Sequence, residues 1–301
     1  MNKKYDISKE FGFFGKFKPP FSKGAISVGG GLIKNCYKLL KKEKDVVFDR
    51  FDLGGFSGHY IRPKEGENFP CLIFLHGGGF CFPAFKSHFK TGLEYLRGCG
   101  TAVLFVDYRL APKNPFPQAE ADARTALDWV FENYDDLSVD VNKIGIVGDS
   151  AGGNLAAKLS RYAKTKGYDL KCQAFIYPVV DPDLDTESKK TFTDTPMWNS
   201  RLNEKMWNYY LDGKDFASAN YEKILTEDFT LSDAPCYIEV AEYDCLKDEG
   251  LALASYFLSH GVRVECSTIK RAMHGFDCAD CDITKAAFKN RIEFFRRSFK
   301  D

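Results

Sequence analysis

The most informative stretch, residues 143–159, reads KIGIVGDSAGGNLAAKL. The apolar run 143–147 predicts a buried parallel strand. The last part of the stretch, residues 155–159, has helical spacing. Between them lies a G-x-S-x-G motif with Ser150 at its centre. The motif predicts a sharp turn that lifts the serine hydroxyl clear of the sheet, because Gly148 and Gly152 let strand and helix approach closely. The helix N-terminus then offers N–H groups to a negatively charged oxygen, so Ser150 is a candidate nucleophile.

A second glycine-rich motif lies upstream. Residues 76–79 read HGGG and follow the apolar run 70–75, which predicts another strand. Such a loop brings backbone N–H groups close to a substrate, because glycines leave room where a Cβ would not. A phosphate-binding loop is the alternative, but no Gly-Lys-Ser/Thr follows and the G-x-G-x-x-G spacing is absent. We therefore expect the N–H groups of Gly77, Gly78 and Ala151 to form an oxyanion hole.

The general base should be a histidine near the C-terminus, because Ser…Asp/Glu…His is the chain order that accompanies this kind of elbow. His260 ends a predicted helix just before Gly261, which is typical of a structural helix end. His274 follows the strand-like run 262–269 and lies in a loop before the last predicted helix. A base in that position can reach the nucleophile, so we predict His274.

Three carboxylates follow the predicted strand 235–241 and compete for the role of triad acid. Asp244 comes directly off the strand end, whereas Asp248 is better placed to cap the next helix, with Glu249 in its first turn. We predict Asp244 over Asp248 and Glu242. The acid would hold the imidazole in the right tautomer and stabilise the imidazolium as it forms.

With these four parts in hand, the chain resembles the hormone-sensitive-lipase-like branch of the α/β-hydrolases, the bacterial family IV esterases. The resemblance runs from about residue 70 to the C-terminus. Lys113 and Cys245 depart from the usual residues, and neither removes a catalytic group. The motifs that carry the resemblance are HGGG (76–79), YRLAP (108–112), FP (116–117), GDSAGGN (148–154), EYD (242–244) with Leu246 and DEG (248–250), and HGF (274–276).

The predicted elements agree with that fold, a mostly parallel, doubly wound sheet of about eight strands with a helical cap. We predict strands near 46–53, 57–62, 70–75, 101–106, 143–148, 171–177, 235–241 and 262–269. We predict core helices near 88–98, 117–133, 151–165, 248–259 and 283–299. The resemblance implies an N-terminal cap segment at 1–45 and a hydrolase domain at 46–301, with a cap insertion at about 181–225. Within the insertion a helix over Asn203–Asp212 would turn Met206, Trp207, Tyr210 and Leu211 to one face.

Large aromatic residues occur near the predicted site. They are Phe80 and Phe82 beside the glycine loop, and Trp198, Trp207 and Tyr210 in the insertion. Side chains of this size leave a short acyl pocket. The resemblance likewise implies a serine carboxylesterase that prefers acyl chains of roughly two to six carbons and needs no metal or organic cofactor.

Composition limits the partners of the protein. The 42 basic and 42 acidic residues cancel, so no nucleic acid partner is expected, and no apolar run approaches the roughly 18 residues of a membrane span. Ten cysteines without a signal peptide favour a reducing cytoplasm. Cys278 and Cys281 form a C-x-x-C, but a zinc site would need two further ligands, so no metal is predicted. We expect a small-molecule ester substrate and no membrane partner, and the question of a homodimer is left open.

Three alternatives use the same fold. A lipase or an amidase or peptidase would share the triad, although the intact HGGG loop and the absence of a large extra domain favour esters. Anchoring of the Phe-rich N-terminus on a membrane surface would accompany the lipase alternative. A non-catalytic small-molecule receptor typically lacks the base, whereas His274 is present.

Overall fold

An eight-stranded sheet forms the centre of the protein in this computed structural model, which describes residues 4–33, 35–227 and 232–300. The strands are β1 (Val46–Asp52), β2 (Ser57–Pro63), β3 (Phe69–Leu75), β4 (Ala102–Asp107), β5 (Val139–Asp149), β6 (Cys172–Ile176), β7 (Cys236–Tyr243) and β8 (Val264–Met273). Their order is β1-β2-β4-β3-β5-β6-β7-β8. β2 runs antiparallel to both neighbours, and all other pairs are parallel. The predicted fold class is confirmed.

The central strands are apolar almost throughout because both faces of the sheet are covered. In β3, Cys71, Ile73 and Leu75 belong to one hydrophobic core, and Leu72 and Phe74 belong to the other. This alternation follows from the two-residue period of a strand, whose successive side chains point to opposite faces. Two cores therefore lie on opposite sides of a single sheet.

Helices cover both cores. They are α1 (Lys23–Ile33), α2 (Lys86–Cys99), α3 (Gln118–Glu132), α4 (Ala151–Lys166), α5 (Glu187–Thr191), α6 (Ser200–Tyr210), α7 (Lys247–Ser259) and α8 (Asp282–Lys300). Short 3₁₀ segments occur at Lys9–Phe11, Cys36–Lys42 and Phe276–Cys278. Leu127 of α3, Leu159 of α4 and Phe257 of α7 lie in the first core, whereas Leu93 of α2 and Phe295 of α8 lie in the second.

All eight predicted strands and the five predicted core helices are present, with shifted ends. The largest shifts are in β5, which begins at Val139 because this residue pairs with Phe69, and in β8, which continues to Met273. The longer β8 brings the chain directly to the position of His274. Long hydrophobic patterns therefore predict correctly whether a segment is a helix or a strand. The residues at which a strand begins and ends depend on its pairing with neighbouring strands, which the pattern does not show.

The segment between β6 and β7 carries α5 and α6. The predicted helix over Asn203–Asp212 begins earlier, at Ser200, because the Asn199 side chain accepts a hydrogen bond from the N–H of Leu202 (3.2 Å) and so caps the helix. The predicted apolar face is buried, and its members are Met206, Trp207, Tyr210 and Leu211. This segment touches the N-terminal segment, since the N–H of Met197 donates to the carbonyl of Phe17 (2.7 Å).

The carboxyl ends of the parallel strands bring the sequence motifs together at one edge of the sheet. The HGGG loop follows β3, Ser150 follows β5, Asp244 follows β7 and His274 follows β8. In open α/β sheets this edge is where ligands bind.

Within the described ranges, the helices include none with the length and apolar character needed to span a membrane.

We expect the Gly152→Ala substitution to disrupt the fold at the junction of β5 and α4. A Cβ at Gly152 would overlap the carbonyl oxygens of Leu75 and His76. Because backbone cannot move aside as a side chain does, the free energy of unfolding should fall by about 3 kcal/mol. Urea unfolding would measure the loss.

Gly24→Ala is the matched control, because Gly24 lies in α1 and has no neighbour within 4 Å of the new Cβ. Its free energy of unfolding should stay the same or rise by up to about 1 kcal/mol. Equal unfolding midpoints for Gly152→Ala and the wild type would contradict the proposed close contact.

Candidate active site

Ser150 occupies a strained turn between β5 and α4. Its backbone has φ 55° and ψ −120°, which lies outside the regions that L-residues normally adopt. Three backbone hydrogen bonds hold it there: its N–H donates to Ile176 (2.9 Å), and its carbonyl accepts from Gly153 (2.9 Å) and Val179 (3.0 Å). A Cβ at Gly148 would overlap the carbonyl of Gly152, so only glycine permits so tight a turn.

Ser150, His274 and Asp244 form a continuous hydrogen-bonded chain. The Nε2 of His274 lies 2.8 Å from the Oγ of Ser150, and its Nδ1 lies 2.7 Å from the Oδ2 of Asp244. Because an ionised carboxylate only accepts hydrogen bonds, Nδ1 carries the proton, and Nε2 is left free to accept the serine proton. The other carboxylate oxygen accepts the N–H of Leu246 (2.9 Å), which fixes the Asp244 side chain.

The two competing carboxylates are engaged elsewhere. Asp248 accepts the N–H of Ser188 (2.7 Å), and Glu242 accepts the N–H of Arg271 (2.6 Å). The prediction that Asp248 caps α7 is wrong, because Leu246 holds the N-cap position and Asp248 lies in the first turn. Geometry therefore favours Asp244 as the partner of the histidine.

The imidazole of His274 packs against two aromatic rings. The Tyr177 ring meets it edge-on with ring centroids 4.7 Å apart, and the Trp198 ring lies 6.0 Å away. The hydroxyl of Tyr177 donates to Asp277 (2.6 Å), whose carboxylate also accepts from the guanidinium of Arg291 (2.9 Å). Arg291 is buried and also bonds Glu239 of β7, so an internal ion network anchors the ring beside His274.

The glycine loop approaches the serine, but one predicted donor is already used. The N–H of Gly77 donates to the Oδ2 of Asp149 (3.1 Å), so the structure contradicts the expectation that this amide is a free oxyanion donor. In the described part of the chain, neither Gly78 nor Gly79 donates its N–H to a protein acceptor. Ala151 is the first residue of α4, so its N–H has no partner within the helix. The sequence interpretation missed Gly79, which belongs to the same HGGG motif.

His76 holds this loop from the other side. Its Nδ1 lies 2.7 Å from the carbonyl of Gly77, and its own carbonyl accepts the hydroxyl of Tyr108 (2.6 Å). The Tyr108 ring stacks on the imidazole with centroids 4.3 Å apart. Burial lowers the pKa of His76 to about 4, so the ring is neutral at ordinary pH and donates from Nδ1 to Gly77.

Comparisons with known proteins agree with this architecture. A family model described as alpha/beta hydrolase fold matches residues 72–278. The chain is 32% identical to carboxylesterase NlhH of Mycobacterium tuberculosis over 221 residues, which are 72% of this chain and 69% of that protein. The chain belongs to the hormone-sensitive-lipase-like branch of the α/β-hydrolases.

Two further relatives of this α/β-hydrolase are informative. Ethyl acetate hydrolase of Pseudomonas putida is 30% identical over 208 residues, which are 68% of this chain and 65% of that protein. A solved structure of an esterase from Pyrobaculum calidifontis is 29% identical and has a TM-score of 0.81, covering 93% of this chain and 94% of that chain.

The predicted pocket residues of this α/β-hydrolase divide into two groups. Trp198 lies beside His274, and Phe82 and Trp198 both contact the ring of Phe21 from the N-terminal segment (centroids 5.9 and 5.2 Å). Phe80 and Tyr210 stack on each other with centroids 3.8 Å apart and have no exposed surface. The prediction that these two line a short acyl pocket is wrong, because both rings are packed in the core. Trp207 is buried with them.

The cysteines of the hydrolase are all free thiols. The thiol of Cys278 lies 3.6 Å from the hydroxyl of Ser87, and that of Cys281 lies 3.4 Å from the hydroxyl of Thr284. Burial raises the pKa of Cys278 to about 12, which disfavours the reactive thiolate. Across the described ranges, no cluster of three or more His, Cys, Asp or Glu side chains is arranged to hold a metal ion.

Proposed function

We propose that the protein is a serine carboxylesterase that hydrolyses short-chain acyl esters through an acyl-enzyme. The observation that carries the proposal is the hydrogen-bonded chain from the Oγ of Ser150 through His274 to Asp244, with 2.8 and 2.7 Å separations, at a strained turn next to unpaired glycine amides. Nucleophile, base and orienting acid stand in the arrangement that acyl transfer requires.

Each residue has a defined role in the proposed mechanism. Ser150 attacks the ester carbonyl while His274 takes its proton, and Asp244 stabilises the imidazolium that results. The N–H groups of Gly78, Gly79 and Ala151 would receive the tetrahedral oxyanion, at roughly 3–4 kcal/mol per donor. His274 then gives the proton to the leaving alcohol, and water, activated by the same base, releases the acid and restores Ser150.

The relatives support an ester as substrate. One is named carboxylesterase, and another is named ethyl acetate hydrolase, which describes an ester with a two-carbon acyl group. The free amides of the glycine loop and the intact base support catalysis over the receptor alternative, because a receptor has no need of an aligned His274.

We also propose that residues 1–45 and about 181–225 form a cap over the site. Ser150 and His274 are only 5% and 6% exposed, and Phe21 from the first segment packs on Trp198 from the second. We keep the prediction of a cytoplasmic location, which the ten free thiols support.

The second cap segment is fastened to α7. Lys189 pairs with Glu249 (2.6 Å), and Glu249 also accepts the N–H of Val180 (2.9 Å). Burial raises the pKa of Glu249 to about 7, although the charge of Lys189 opposes the rise. These contacts place the beginning of the insertion next to the loop that carries Asp244.

We expect kcat/KM for p-nitrophenyl esters to be highest at acyl chains of roughly two to six carbons and to fall steeply for longer ones. Each methylene contributes about 0.8 kcal/mol of burial while room lasts, after which it meets Trp198 and the rings around it. Soluble esters from acetate to palmitate, below saturation and beside an aminoacyl anilide, provide the measurement.

Ser150→Ala is the control and should lose about 10⁴-fold or more in kcat. A rise through dodecanoate with a jump at a lipid–water interface would make the protein a lipase. Faster cleavage of the anilide than of any ester would make it an amidase or peptidase.

We expect Asp244→Asn to lower kcat by roughly 10⁴-fold, because an amide can no longer select the Nδ1–H tautomer of His274. The matched variant Asp248→Asn should stay within about threefold of the wild type, since its amide oxygen can still accept the N–H of Ser188. Steady-state kinetics on the best ester compare the two. The opposite ranking would move the acid to Asp248.

A further inference from the structure

Two donors from separate elements share one oxygen of Asp149, the residue before the proposed nucleophile. The Oδ2 of Asp149 accepts the N–H of Gly77 at 3.1 Å and lies 3.2 Å from the Nε2 of His88, the third residue of α2. Asp149 is buried, and the side chain of His88 is only 12% exposed. The carboxylate therefore links α2 to the glycine loop.

A second bond sets the direction of the contact between His88 and Asp149. The backbone N–H of Phe85 donates to the Nδ1 of His88 at 2.8 Å. A nitrogen that accepts a hydrogen bond carries no proton, so the proton of the neutral ring must lie on Nε2. His88 therefore donates to Asp149, and its tautomer is fixed by the start of α2.

Asp149 is ionised. Burial by itself raises the pKa of this carboxyl, but the polar N–H of His88, with His76 and the N–H of Gly77, outweighs burial and holds the pKa below its usual value. Its other oxygen, Oδ1, is buried and has no hydrogen-bond partner among the described residues. The orientation of the carboxylate thus depends on His88 and Gly77.

Gly77 transmits this orientation to the proposed oxyanion donors. A Cβ at Gly77 would lie 3.1 Å from the Cβ of Ser150, so the loop is in contact with the nucleophile. Asp149 holds the N–H of Gly77, and His76 holds its carbonyl. Because a trans peptide is planar, a fixed Gly77 carbonyl directs the N–H of Gly78 to the opposite side.

We propose that His88 is a positioning residue: through Asp149 it holds the N–H of Gly77 and so, together with His76 on the Gly77 carbonyl, aims the amides of Gly78 and Gly79 at the tetrahedral oxyanion. This inference rests on the proposed esterase function. A displacement of about 1 Å in such donors can cost ~10²-fold in rate, because they act only when already oriented.

Two substitutions separate this role from a purely structural one. In His88→Asn the amide oxygen replaces Nδ1 and still accepts the N–H of Phe85, but the side chain is too short to reach Asp149. In His88→Gln the amide nitrogen can replace Nε2 and donate to Asp149. His260→Asn is the control, because His260 is an exposed histidine at the end of α7.

The readouts are kcat, KM, the melting temperature and the inhibition constant of an alkyl trifluoromethyl ketone. The Oγ of Ser150 adds to the ketone carbon, His274 takes the serine proton, and the carbonyl oxygen becomes an oxyanion. The adduct therefore reports on the oxyanion site without turnover.

We expect His88→Asn to lower kcat by ~10²-fold with KM changed by less than about threefold, and to weaken ketone binding by a similar factor. His88→Gln should recover most of both losses, and His260→Asn should match the wild type. Asp149→Ala removes the oxygen that both donors bond and gives a second, independent variant with the same expected losses.

Three results would overturn the inference. One is a wild-type kcat and ketone affinity in His88→Asn. Another is an equal loss in the Asn and Gln variants together with a lower melting temperature, which indicates a purely structural role. If His88→Asn does not fold, unchanged kcat and ketone affinity in Asp149→Ala would have the same meaning. A wild-type protein that hydrolyses no ester would instead overturn the proposed function, and this inference with it.

Discussion

The close contact between the end of β5 and the start of α4 is the constraint on which the site depends. Gly148 and Gly152 meet there with no room for a Cβ, and Gly152 also touches the carbonyls at the end of β3. The same contact forces the strained backbone of Ser150 and brings β3 beside it. The glycine loop begins where β3 ends. The proposed nucleophile and the proposed oxyanion amides therefore meet because β3, β5 and α4 pack closely at these glycines.

Around this contact, hydrogen bonds to the backbone hold buried carboxylates in place. Asp244 is tied by the Leu246 N–H, and Asp149 by the Gly77 N–H, so both carboxylates have set directions. Removing such groups from water costs free energy unless hydrogen bonds replace the lost hydration. The Arg291 network extends the same principle to the ring beside His274. The hydrogen bonds that compensate the buried charges therefore also preorganise the site.

Sequence alone predicted what depends on pattern and chain order. The strand–motif–helix context identified Ser150, and the order Ser…Asp…His led to Asp244 and His274, which the structure joins by hydrogen bonds. The sequence did not predict the direction of individual N–H groups. A glycine motif does not show which N–H already has an acceptor, so Gly77 was wrongly assigned as an oxyanion donor. His88 had no signal at all, because its partner lies 61 residues away and an isolated histidine forms no pattern.

The reactivity of one hydroxyl tests the central claim most directly. An alkyl fluorophosphonate should add to the Oγ of Ser150 with loss of fluoride, since His274 removes the proton. After trypsin, residues 144–158 form a peptide whose only hydroxyl side chain is Ser150, so the mass of that peptide identifies the site. We predict one adduct per chain, on this peptide, and none in Ser150→Ala. An adduct on another peptide, or labelling that persists in Ser150→Ala, would contradict the account.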